Sequence, residues 1–113
     1  MAADIDALWD YAKPAESEAR FREALKTETG DAALEIETQI ARTFSMRRDF
    51  VRANSMLDAV AARTSGNTAP RVRIRYLLER GRTLNSSGQF EKAKPLFSDA
   101  FQLALRGDGM YCL

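Results

Sequence analysis

Five arginines, Arg71, Arg73, Arg75, Arg80 and Arg82, fall within twelve residues of a 113-residue chain. A guanidinium forks two hydrogen bonds onto a phosphate or a carboxylate, so a run of this kind invites a nucleic-acid reading. The rest of the composition argues against it. Net charge is only +1, and the aromatic residues sit at spacings that a core needs, which leaves few to stack on bases.

Catalytic chemistry has still less to work with. The chain has no histidine, the usual general base and the commonest metal ligand, and one cysteine, Cys112. Acids are plentiful, but none pairs with another in an apolar setting that would raise a pKa. No nucleophile has a base beside it, and no glycine-rich phosphate loop follows a strand. The expectation is a protein that is not an enzyme and uses no cofactor and no metal.

The length suits one domain over residues 1–113, able to bury about two-thirds of its unfolded surface without staples. A single cysteine allows no internal disulfide and suits a reducing compartment. The opening "MAADIDALWD" lacks the basic and apolar segments of a signal peptide, and no apolar run is long enough to span a bilayer. A soluble, cytoplasmic protein with no membrane partner is expected. Residues 1–46 carry ten acids and five bases, whereas residues 47–113 carry six acids and twelve bases. Such polarity can guide a partner or a second copy, or can mark two solvated faces.

Helix signals run throughout. Asp4 or Asp6 can cap a short first helix bearing Ile5, Leu8 and Trp9, and Pro14 opens a second that carries Phe21, Ala24 and Leu25. Gly30 and Asp31 mark a stop and a new start. The third helix places Leu34, Ile40, Ala41 and Phe44 on one face, with Glu35, Glu37 and Arg42 outside. Asp49 caps a fourth built on Phe50, Ala53, Leu57 and Val60. After the breaker "TSGNTAP", a fifth helix runs from Pro70 to about Ser86 and a sixth from about Gln89 to Leu105. "RVRIRY", residues 71–76, alternates like a strand, but no second strand exists to satisfy its backbone. Pro95 falls inside the sixth helix near its second turn, where it breaks only early bonds.

The spacing of small residues suggests how these helices pair. Gly81 and Ala93 fall on the facing sides of two helices, where small residues allow close approach and Phe90 and Phe97 fill the space beside them. Forty residues earlier the pattern repeats. Ala41, Phe44, Phe50, Ala53, Leu57 and Val60 match Gly81, Leu84, Phe90, Ala93, Phe97 and Ala100. An internal repeat of this length signals a solenoid; an ordinary six-helix bundle is the alternative. Ser17, Phe21 and Ala24 form a weaker early copy.

At Gly81, Leu84, Ala93 and Phe97 the chain resembles the tetratricopeptide repeat family, whose small-residue, aromatic and Ala-x-x-x-Phe pattern they meet. Leu77 and Arg80 depart from it, Leu105 and Ser65 replace the closing proline, and a forty-residue step exceeds the family's usual length. The resemblance implies an all-α fold of five to six helices, antiparallel hairpins stacked as a short solenoid. Its units would be a partial repeat over 4–28, repeats over 31–64 and 70–105, and a tail over 106–113. It also implies a protein–protein interaction module whose first helices line a concave groove. Mapped here, that groove shows Gln39 and Arg42, then Arg75, Arg82 and Asn85, with Glu35, Thr38, Leu78 and Glu79 among them. The three arginines would fork onto carboxylates and Asn85 would hold peptide backbone, so an acidic peptide or protein is the implied partner. The family's lysine and asparagine carboxylate clamp is not matched. A solvated face with pairs such as Arg75–Glu79 is the other reading.

A structural, self-associating module is the alternative function. The sixth helix spreads apolar residues over an arc of roughly 200°, wider than one partner helix covers. Leu96, Phe101, Leu103 and Leu105, with Tyr111 from the apolar tail Met110–Leu113, are the expected interface of a homodimer around the last hairpin.

Overall fold

The computed structural model describes residues 4–106. These form a three-residue 3-10 turn, Asp6–Leu8, and five α-helices: α1 Pro14–Leu25, α2 Gly30–Met46, α3 Phe50–Arg63, α4 Pro70–Ser86 and α5 Phe90–Arg106. No strand occurs among the described residues. The all-α expectation holds, with helix boundaries close to those read from the caps and breakers. One element differs: the expected first helix is only the 3-10 turn. Too few residues separate Asp4 from Pro14 to repay the cost of nucleating a helix. Ile5 and Trp9 are nonetheless buried, packed with Phe21, Ile36, Ile40, Phe44 and Ala53 in the first core cluster.

Helix α2 packs against α1, α3 and α4, and α4 packs against α3 and α5. The α2–α3 and α4–α5 turns are copies of one another, forty residues apart. Asp49 N–H donates to Phe44 O at 2.8 Å and Gln89 N–H to Leu84 O at 2.8 Å. Arg48 N–H reaches Ser45 O at 3.0 Å and Gly88 N–H reaches Asn85 O at 3.1 Å. Each turn needs one residue in the left-handed region, filled by Arg48 (φ 63°) in the first and Gly88 (φ 84°) in the second. Asp49 caps α3 by accepting from Arg52 N–H at 3.2 Å.

The strand-like alternation at the start of α4 has a helical cause. Val72 and Ile74 are both buried but lie roughly 200° apart around the helix. Val72 packs with Leu34 and Val60 of the first hairpin, Ile74 with Ala100 and Ala104 of α5. A helix covered on two sides reads like a strand over its first turn. The α4–α5 contact is tight at Gly81, as its small residue suggests, with Phe97 against it and Ala93 buried nearby. Phe90 departs from expectation: at the first position of α5, beyond the reach of α4's packed face, it is 58% exposed.

Candidate functional site

The face expected to be an open groove is instead a polar seam between α2 and α4. Glu35, read from periodicity as an outer residue, is buried, and its Oε2 accepts from Arg71 Nε at 2.7 Å and Arg75 Nε at 2.8 Å. Arg75 Nη2 also donates to Asp6 at 2.9 Å, tying the N-terminal segment to the seam. Gln39 is fully buried; its amide donates to Thr38 Oγ1 at 3.2 Å and Glu79 Oε2 at 3.3 Å, and its carbonyl accepts from the Trp9 indole N–H at 2.9 Å. Glu79 accepts from Arg82 Nη1 at 2.6 Å, and its other oxygen, 3.9 Å from Arg42 Nε, has no hydrogen-bond partner. Burial pushes the Glu79 carboxyl above the ordinary carboxylate range, against the pull of Arg82, Arg42 and the Gln39 amide. Thr83, one turn on, keeps a buried hydroxyl without a partner.

The expected binding residues are therefore placed as follows. Gln39 is not on an accessible wall: both ends of its amide are used inside the protein. Arg42 lies 5.3 Å from the Trp9 ring centroid and 5.1 Å from that of Tyr11, two rings stacked 4.7 Å apart. Arg75 and Arg82 are half-buried and bonded to Glu35, Asp6 and Glu79. Asn85 is exposed. Periodicity alone could not separate a solvated polar face from a buried polar seam. A sharper signal was available in the repeat itself, because Glu35 and Arg75 occupy equivalent positions, as do Gln39 and Glu79. Both pairs meet between α2 and α4, and each is complementary.

The remaining arginines of the run are also engaged. Arg73 Nη2 donates to Ser65 O at 2.5 Å, and Arg80 donates to Asn54 at 2.9 Å and to Asp58. All five thus have acceptors within the protein. Among the described residues no group of three or more His, Cys, Asp or Glu side chains is placed to hold a metal ion.

Helix α5 presents a different surface. Phe90, Phe101 and Leu105 are exposed and fall in one stripe with the half-buried Phe97, at spacings of seven, four and four residues. Leu96 and Leu103 are half-buried on the other flank, Leu103 packing with Leu77 and Leu78 around Ile74. Of the expected dimer residues, Phe101 and Leu105 are therefore open, Leu96 and Leu103 partly covered, and Tyr111 lies outside the described residues. Comparison of the chain with known protein families, curated proteins and solved structures gives no match.

Proposed function

We propose that the chain is a non-enzymatic protein–protein interaction module of the cytoplasm, a short tetratricopeptide-like stack of two helical hairpins with a partial one before them. The observation that carries this reading is the apolar stripe of α5, where Phe90, Phe101 and Leu105 are 58%, 52% and 62% exposed. Three large side chains in one row, with no covering element among the described residues, form a surface suited to a protein partner. The partner face is thus the outer side of α5 rather than a groove between first helices, where Arg75 and Arg82 already have internal acceptors and Arg42 packs over Trp9 and Tyr11. The same engagement weakens a nucleic-acid reading. Among the described residues no helix is long and apolar enough to cross a membrane.

Photo-crosslinking tests the proposal. A benzophenone side chain at position 101 should give a discrete heteromeric product in cells. The same group at Val51, which is 82% exposed but on α3, should not. A product of homodimer mass would move the reading to self-association, and equal labelling from both positions would remove the assigned face.

A further inference from the structure

The apolar core is divided by hairpin. Every member of the first cluster, from Ile5 and Trp9 to Ala53, lies in the N-terminal segment and helices α1–α3. The cluster of Ile74, Ala100 and Ala104, with Leu77, Leu78 and Leu103 against it, lies wholly in α4 and α5. Among the described residues a single small cluster joins the two, where Leu34 and Val60 meet Val72. The rest of the plane is polar. Arg71 and Arg75 bond to Glu35, Arg80 to Asn54 and Asp58, and the buried Glu79 stands between Gln39, Arg42 and Arg82. Buried ion pairs gain little over apolar packing, because desolvating both charges offsets their attraction. The plane between the hairpins is therefore the contact held least strongly in the molecule.

We infer that the second hairpin, α4 with α5, opens from the first at residues 64–69 and unfolds as one unit, and that the Glu79 carboxyl is the latch whose charge sets how often it does so. The connection suits such a motion. Ser65, Gly66 and Asn67 are exposed, and a Cβ on Gly66 would meet nothing within 4 Å. A segment under roughly 40 residues with so small a core does not keep its fold alone, so α4 and α5 are lost together. The first unit retains larger fully buried side chains, Phe21, Ile36 and Ile40, and stays folded. The latch lies in the geometry of one oxygen. Glu79 Oε1 is buried without a hydrogen-bond donor, with Arg42 Nε at 3.9 Å, while Oε2 accepts from Arg82 and Gln39. An anionic oxygen in that setting is costly, and a proton on it removes the charge. Arg42 of α2 and Arg82 of α4 are the charged groups that face it, and Tyr11 of the N-terminal segment lies beyond Arg42. Glu35 is held farther along the seam by Arg71 and Arg75, and Asp6 by Arg75. Among the described residues none from α3 or α5 bonds to Glu79. The same burial raises its carboxyl above the ordinary range. Protonated Glu79 belongs to the closed state, so opening grows as pH rises from the ordinary carboxylate pKa, about 4.3, through the raised value.

Hydrogen exchange of the full chain, read by mass spectrometry from about pH 5 to about pH 7.5 and corrected for the intrinsic rate of each amide, measures the opening. Amides bonded within α4 and α5 should share one opening constant, at least about tenfold above that of α2 and α3. The constant should rise with pH by no more than about tenfold per unit, the limit for one proton. Glu79→Gln should lower it at neutral pH and remove its pH dependence. Ile36→Val, in the core of the first unit, should raise the constant of α2 and α3 by about fivefold and leave that of α4 and α5 unchanged, because the first unit stays folded when the second opens. A single constant for both hairpins, or an Ile36→Val effect of equal size on both, would overturn the separate unit. A flat profile in the unmodified chain, or a pH dependence that survives in Glu79→Gln, would overturn the latch.

Discussion

The ring of Phe97 occupies the space that a side chain on Gly81 would need: an added Cβ would fall 2.7 and 2.9 Å from its Cε1 and Cζ atoms. The first hairpin solves the same contact with Ala41 and Leu57, both fully buried. Volume moves from one helix to the other between the two repeats. Gly81→Ala should destabilise by about 1 kcal/mol, the crowding outweighing the gain in helix propensity. With Phe97→Leu present, the same change should stabilise by up to about 1 kcal/mol, because the pair then copies the first hairpin. Urea unfolding of the four proteins gives the coupling directly, and simple additivity would show that the two positions do not share one space.

Arg48 sits in the conformation that its counterpart Gly88 adopts without a Cβ. Arg48→Gly should raise stability by about 0.5–1 kcal/mol, even with loss of the cation–π contact to Phe50 at 5.0 Å. Gly88→Ala should lower it by about 1 kcal/mol. Thermal melts followed by circular dichroism check both, and a destabilised Arg48→Gly protein would contradict the left-handed assignment.

Glu79 sets a pH dependence. Its carboxyl binds a proton more tightly in the folded chain than in the unfolded one, because burial disfavours the anion. The folded state therefore holds more protons, and stability falls as pH rises from the ordinary carboxylate pKa, about 4.3, through the raised folded value. Glu79→Gln keeps a neutral group of the same shape. It should match wild type in acid and become progressively more stable than wild type as pH rises to neutrality. Urea midpoints across that range measure the difference, and a pH-independent gap would exclude Glu79 as its source.

Gln39 joins the N-terminal segment to the seam. Gln39→Ala leaves the Trp9 indole N–H without its acceptor and should cost about 1–3 kcal/mol. Trp9 is the single tryptophan, so its fluorescence should shift to longer wavelength as the ring gains water. An unshifted spectrum would mean that the ring is held by its packing in the first core cluster, with Phe21 edge-on at 5.2 Å, and not by the Gln39 bond.

Local signals carried most of the fold. Pro14, Gly30, Asp49, Pro70 and Gly88 punctuate the chain through backbone chemistry that acts within a few residues, so they are legible before any packing is known. The repeat was legible for the same reason: equal turns keep equal spacing. The polar seam was not. Glu35, Gln39 and Glu79 have the composition of a wet helix face, and only partners up to forty positions away make their burial tolerable. Phe90 erred in the opposite sense, since an aromatic at the first residue of a helix satisfies periodicity without having a neighbour to cover it.

Helices docked in series carry a hazard. An α4 segment released from one molecule could add to the end of the next and leave an identical end for another, a head-to-tail growth with no closure. At the positions equivalent to Glu35 and Asn54 the second hairpin has Arg75, already bonded to Glu35 and Asp6, and Lys94, so it lacks the acceptors that Arg71 and Arg80 use on the first. Helix α4 therefore finds its full set of acceptors on the first hairpin and not on the second, which disfavours head-to-tail addition of this sequence to itself.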